Sequence, residues 1–275
     1  MRYKLCILFF TTILLLYNCK KVEKLENKID DKLKSVFALD HLNIWVTNPE
    51  VAKDKLNKIG FTSLPDSLSK PHIGQGTKGN YFYFLNTYLE LIFVLDQHEL
   101  IENNSKNKDL DFTIRANSKQ NGASPFSVAL KLKEYKTEEI PFDFVEYHQE
   151  LMSDGNSIYS AKNSKLLPKE PSVFVIYPEI ESVNFGSIKD LQKIPEEYSF
   201  ARDLYKHQNK AKKITNIVIT TTGTNLDTKT IKELNKLEII TIKKGKDHLM
   251  ELYFDNHIQN KIFDLRPELP LKIYL

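Results

Sequence analysis

The sequence predicts an α+β fold built from repeated βαβββ units, with helices on the outside of a mixed sheet. Three observations predict it. Residues 40–94 alternate apolar and polar side chains in the order strand, helix, strand, strand, strand. Strand-like blocks recur at 124–186 and 213–275. The last block also echoes the first: "LNKIGF" (56–61) answers "LNKLEI" (234–239), and "TYLELIFV" (87–94) answers "HLMELYFD" (248–255). Glu90 and Glu251 thereby fall at the same place in matching strands. The third block is shorter by about one strand, so it is expected to be an abbreviated copy.

In the first block (38–96), "DHLNIWV" (40–46) reads as a strand, and Pro49-Glu50 opens a helix that runs through Val51, Leu56 and Ile59 to Gly60. "FTSL" (61–64) predicts a short strand. Gly74, Gly76 and Gly79 then satisfy G-x-G-x-x-G. A dinucleotide site needs a strand before that motif and a helix after it. Here Pro71 precedes it and the aromatic run Tyr81–Leu85 follows, so the glycines predict a loop feeding the hairpin 81–94. Residues 97–123 are rich in Asn, Lys and Asp and predict a long polar loop. The second block (124–186) carries the strands "SPFSVALKL" and "PSVFVIYP", and 187–212 predicts a charged helical connection. The third block (213–275) holds "KITNIVITTT", the helix "DTKTIKELNKL", two further strands and a closing "DLRPELPLKIYL".

The chain begins with Arg2 and Lys4, then an apolar stretch from Leu5 to Tyr17 that is too short to span a bilayer comfortably. Leu16-Tyr17-Asn18-Cys19, followed by Lys20-Lys21, resembles a bacterial lipoprotein signal, in which the cysteine is lipidated. Leu16 and Cys19 match that pattern, while Tyr17 and Asn18 are bulkier than its usual small residues. The expectation is a signal at 1–18, a lipid on Cys19, and a location in the bacterial cell envelope, periplasmic or surface-exposed, held to a membrane by that lipid. An uncleaved N-terminal anchor is the alternative. Val22, Leu25, Ile29, Leu33 and Val36 predict an amphipathic tether helix within 19–37. Cys6 and Cys19 are the only cysteines, so the body has neither a disulfide nor a thiolate ligand. A formal charge of +3, with both signs finely mixed, excludes a basic nucleic-acid surface.

Alternation puts His41, Asn43 and Trp45 on one face of the first strand and Leu42, Ile44 and Val46 on the other. Tyr88, Glu90 and Ile92 likewise share a face opposite Leu89, Leu91 and Phe93. The apolar faces suit the helix side, leaving His41 and Glu90 on a mixed face. A carboxylate among aromatic side chains is costly unless its charge is compensated. A divalent metal does so, and His with Glu is a common ligand pair for zinc, iron, nickel or manganese. A His41–Glu90 pair that steadies the sheet without metal fits the same residues. Arg266 is a candidate substrate clamp, since a guanidinium grips carboxylates bidentately, although Asp264 and Glu268 stand close by as local partners.

"DHLNIWV…NKIGF…YLELIFV" resembles the module of the vicinal oxygen chelate (VOC) superfamily, the glyoxalase/bleomycin-resistance/extradiol dioxygenase group. Most of residues 38–275 is similar to bacterial glyoxalase-like domain proteins. The resemblance implies paired βαβββ modules forming a cupped mixed sheet around a small-molecule pocket. It further implies metal ligands at His41, Glu90 and Glu251, a catalytic role for Glu90, and ligand contacts from Trp45 and Tyr88. Isomerase, lyase or dioxygenase chemistry on a divalent metal would follow, the alternative being a non-catalytic ligand-binding envelope lipoprotein. The second histidine position of that pattern is Asn216, a weak ligand, and the second block offers Ser127. The metal triad requires the first block to pair with the third; pairing with the second leaves only His41 and Glu90.

Overall fold

A one-residue bulge in the first strand sets the faces of the sheet that carries the site. The structure, a computed structural model, describes residues 35–149 and 152–275; the signal, Cys19 and the tether helix up to residue 34 lie outside the described residues. Strand β1 (Phe37–Trp45) shifts register between Leu39 and His41, leaving Asp40 as the extra residue. Phe37 and Leu39 before the shift, and Leu42 and Ile44 after it, therefore all join the apolar core. Unbroken alternation would have turned one of these pairs to the opposite face.

Helix α1 (Pro49–Lys58) starts where Asn48 caps the Val51 N–H and Pro49 occupies the first turn. Its buried Ala52 and Leu56 cover the core face of the sheet. Strands β2 (Thr77–Phe84) and β3 (Thr87–Val94) form the predicted hairpin. β3 runs parallel to β1, with His41 opposite Tyr88 and Asn43 opposite Glu90. The predicted strand 61–64 is instead an extended arm, joined to β2 by one bond from Leu64 N–H to the Tyr81 carbonyl, 2.8 Å.

The expected polar loop at 97–123 is largely helical. Asp96 caps α2 (Gln97–Lys106) by accepting from the His98 and Glu99 N–H groups, and α3 (Phe112–Ala116) follows. Within α2 only Leu100 and Asn103 are buried, too thin a stripe for periodicity to reveal. Arg115, with no exposed surface, anchors this insertion. Its guanidinium donates to Asp111 at 2.6 Å and to the carbonyls of Ser124, Pro168 and Glu170, so its buried charge is both paired and hydrogen-bonded.

The second block supplies β4 (Phe126–Leu132), β5 (Phe144–Tyr147), β6 (Ile158–Ala161) and β7 (Ser172–Val175). β4 pairs antiparallel with β1 and parallel with β7, giving a seven-stranded sheet of order β2-β3-β1-β4-β7-β6-β5. The first and second blocks thus pair, each placing its first strand parallel to its last. The stretch 187–212 contains 3-10 turns and a single α-helical turn at 201–204 rather than sustained helices.

The third block forms its own five-stranded sheet, order β11-β12-β10-β8-β9. Its members are β8 (Ile214–Thr221), β9 (Ile240–Lys244), β10 (Leu249–Phe254), β11 (Ile262–Asp264) and β12 (Leu271–Tyr274), with α4 (Lys229–Asn235) between the first two. It does not repeat the first block. β8 lies antiparallel to β10, which carries Glu251, whereas β1 lies parallel to β3, which carries Glu90. The matching hexapeptides record a common helix end, not a common topology. One continuous apolar core joins Leu42, Ile44 and Leu89 to Ile217, Ile219 and Leu252, so the second sheet backs the first. Helices lie outside the sheets, and the opposite face of the seven-stranded sheet is free to form a cup. Among the described residues no helix is long and apolar enough to cross a membrane.

Candidate ligand-binding cup

A cavity of about 230 Å³ opens on that face. His41, Asn43 and Trp45 of β1 and Tyr88, Glu90 and Ile92 of β3 line it, as strand alternation predicts. Ser127, Ser172 and Phe174 of the second block complete the floor, while Phe112 and Tyr147 stand at its side. Phe112 approaches Trp45 with ring centroids 6.2 Å apart and Tyr147 at 5.6 Å.

Glu90 is only 4% exposed. Its Oε2 accepts from Asn43 Nδ2 at 2.5 Å, while Oε1 is buried with no hydrogen-bond partner among the described residues. Such an orphaned acceptor is costly, and Oε1 lies packed over Gly79 of the neighbouring strand. The nearest basic group is His72, whose Nε2 lies 3.5 Å from Oε1. His72 is held from both ends: Nδ1 lies 2.9 Å from Thr77 Oγ1, and Nε2 lies 2.7 Å from the Tyr81 hydroxyl. Burial, with the Glu90 carboxylate alongside, drives the Tyr81 phenol far above its ordinary value. Tyr88 moves the same way for the same reasons, and Tyr83 is pushed up to about 12, chiefly by burial. These phenols remain protonated.

His41 does not pair with Glu90. Its Nδ1 lies 2.6 Å from Asp40 Oδ1, and its ring stacks on Tyr88 with centroids 4.3 Å apart and planes inclined by 14°. The bulge that inserts Asp40 creates this contact. Asp40 is fully buried, and its Oδ2 accepts from the N–H and hydroxyl of Ser182 at 2.7 and 2.8 Å. Burial alone raises an aspartate, but the His41 and Ser182 hydrogen bonds more than offset it, so Asp40 sits below its ordinary value.

The expected metal triad does not assemble. Glu251 lies in the other sheet, where its carboxylate takes Lys243 Nζ at 2.8 Å and the Tyr274 hydroxyl at 2.9 Å. Burial raises Glu251, and those partners pull it below its ordinary value. Across the cup from His41 and Glu90, the second block presents Ser127, Ser172 and Phe174, which are hydroxyls and a phenyl ring. Among the described residues no group of three or more His, Cys, Asp or Glu side chains is placed to hold a metal ion. This donor set does not fit a divalent ion. Arg266 is not at the cup either. It stands in the five-stranded sheet's closing segment and pairs with Asp264, Nε to Oδ1 at 2.9 Å.

The glycine motif also has a local explanation. The Gly74 and Gly76 N–H groups donate to the Glu99 carboxylate at 2.6 and 3.0 Å. Gly76, at φ +70°, packs so closely on the first turn of α2 that any Cβ would strike the Leu100 backbone. The donors that a phosphate would require are taken by a side chain of the protein itself.

No family model matches the chain, and no curated protein matches it in sequence. Among solved structures it is similar to a hypothetical protein from Staphylococcus aureus, at 11% identity and TM-score 0.48 over 86% of this chain and 98% of that one. It is similar to methylmalonyl-CoA epimerase from Mycobacterium tuberculosis, at 13% identity and TM-score 0.35 over 53% of this chain and 93% of that one. A methylmalonyl-CoA epimerase in complex with methylmalonyl-CoA and NH4+ gives 12% identity and TM-score 0.34 over 54% and 99%. By its own strand pairing, the chain is an α+β protein whose seven-stranded mixed sheet joins the first block (β1, α1, β2, β3) and the second (β4 to β7) at their first strands, each block pairing its first strand parallel to its last.

Proposed function

We propose that the chain is a small-molecule-binding protein whose ligand sits in the cup of the seven-stranded sheet and is gripped by Glu90. The observation that carries this reading is Glu90, a buried carboxylate at the wall of an aromatic-lined cavity whose Oε1 makes no hydrogen bond among the described residues. Asn43 holds the other oxygen, and Oε1 meets the ligand as the carboxylate turns away from Gly79. Apolar rings supply most of the contact area, and the serine hydroxyls offer secondary hydrogen bonds.

A thermal-shift screen of small molecules against the wild-type protein and two cup-filling variants, Ser127→Phe and Ser172→Leu, tests this reading. Ligands are expected to stabilise the wild type and to lose that effect in both variants. Hits that stabilise all three proteins equally would place binding elsewhere.

A catalytic version of the reading is favoured by the same oxygen. With His72 3.5 Å away, Glu90 is placed to take a proton from a bound substrate and pass it on. In that case Glu90→Gln removes turnover of a substrate while leaving its binding measurable.

The envelope location and the lipid on Cys19 form part of the same proposal, supported by the basic and apolar run at residues 1–18 that leads to Cys19. Cells expressing Cys19→Ser are expected to yield protein that no longer incorporates labelled fatty acid. Unchanged labelling would refute the anchor.

A further inference from the structure

We infer that the cup selects a protonated amine: a small organic ammonium whose N–H meets Glu90 Oε1 and whose body lies among the aromatic rings. This rests on the cup being the ligand site and adds the charge of the ligand.

Charge around the cavity is one-sided. Among the described residues no lysine or arginine lines it, while Glu90 and Asp111 both do. Asp111 is already neutralised by Arg115 at 2.6 Å, whereas Glu90 has no lysine or arginine beside it among the described residues, only the His72 imidazole 3.5 Å from Oε1. The two lining histidines each already face a carboxylate: His41 meets Asp40 at 2.6 Å, and His72 stands 3.5 Å from Glu90. A carboxylate or phosphate ligand would therefore enter a partly desolvated site beside a like charge and find no guanidinium or ammonium to receive it. A neutral ligand would satisfy Oε1 with one ordinary hydrogen bond. An ammonium satisfies it with a charge-assisted one.

The walls favour the same class. Tyr81 and Tyr88 lie 6.0 Å apart on the Glu90 side, and Trp45 and Phe112 lie 6.2 Å apart beyond it. Electron-rich ring faces attract cations, indole most strongly, and more so where water is excluded. Both pairs of rings line the same cavity as the Glu90 carboxylate, which is the combination an ammonium on an aromatic body requires. The volume suits a molecule of roughly one substituted benzene ring, since a cavity of ~150 Å³ accepts benzene itself.

Trp45 is the only tryptophan of the chain, so its emission reports on the cup directly. The full-length protein would be titrated with benzylammonium chloride, benzyl alcohol and sodium benzoate at pH 7.5 while that emission is followed. Benzylammonium is expected to bind about ten-fold more tightly than benzyl alcohol, with benzoate weakest. In Glu90→Gln, which keeps the shape and an acceptor oxygen, the ammonium is expected to fall to the level of the alcohol. Benzyl alcohol or benzoate binding as tightly as the ammonium overturns the inference, as does an unchanged preference in Glu90→Gln. Those results would leave the cup standing as a binding site. If none of the three probes alters Trp45 emission, the inference and the cup fall together.

Discussion

Gly79 lies directly beneath Glu90: a Cβ added at Gly79 would stand 2.8 Å from Glu90 Cγ and closer still to Oε1. The neighbouring strand therefore leaves out a side chain where the carboxylate lies flat. Gly79→Ala is expected to push Glu90 from this position and to destabilise the fold by about 1–3 kcal/mol in urea denaturation. In a Glu90→Ala background the same change should cost less, the remaining contact being with the Tyr81 ring, whose Cζ would stand 2.8 Å from the new Cβ. Equal costs in the two backgrounds would show that the two residues do not compete for that space.

Asp40 is the second buried carboxylate of the sheet, bonded to His41 and Ser182 and with Lys131 Nζ 3.7 Å from its Oδ2. Asp40→Ala strands the Ser182 N–H, its hydroxyl and His41 Nδ1, and is expected to cost about 3 kcal/mol at pH 7. Because the folded protein holds Asp40 below its ordinary value of 3.8, its contribution is complete above that pH. It is lost as the pH falls through the lower folded value. Denaturation of wild type and variant from pH 7 to pH 2.5 should show the gap closing only at the acid end.

Glu170 runs the other way. It is buried with a hydrogen bond from Thr228 Oγ1, and burial pushes its carboxyl up to about 7, with Thr228 and Arg115 drawing it back. The folded state then binds the proton more tightly than the unfolded chain does. Stability is lost as pH rises from about 4.5 to about 7. Glu170→Gln is expected to match the wild type at pH 4 and to exceed it by about 2–3 kcal/mol at pH 8. A pH-independent difference would contradict this assignment.

Much of the cup was readable from strand alternation. His41, Asn43, Trp45, Tyr88, Glu90 and Ile92 all face the cavity, because a half-buried strand has only two faces. The partnerships among them were not readable. A single inserted residue, Asp40, captures His41, and no pattern in "ALDHLNIW" marks that bulge. His72 reaches Glu90 from the turn that precedes β2, a contact set by loop geometry. Its signal was only its place two residues before the glycine pair. The likeness of "TYLEL" to "HLMEL" misled because strands of similar composition arise in either pairing direction. The choice between the second and third blocks as partner for the first rested on long-range pairing, which local patterns do not carry.

Glu251 and Arg266 provide the control. Both belong to ion pairs of the five-stranded sheet, Glu251 with Lys243 and Arg266 with Asp264. Glu251→Gln and Arg266→Ala are expected to leave benzylammonium binding unchanged, and the exposed Arg266 pair to alter stability by less than ~1 kcal/mol. Loss of binding in either variant would mean that the second sheet reaches the ligand.

The most direct test of the cup is a crystal structure of the protein with benzylammonium bound. The ammonium is expected at ~3 Å from Glu90 Oε1, with the ring between the Tyr88 and Trp45 sides of the cavity. A ligand seated outside the cup, or one lying in it with Glu90 turned away, would contradict the assignment.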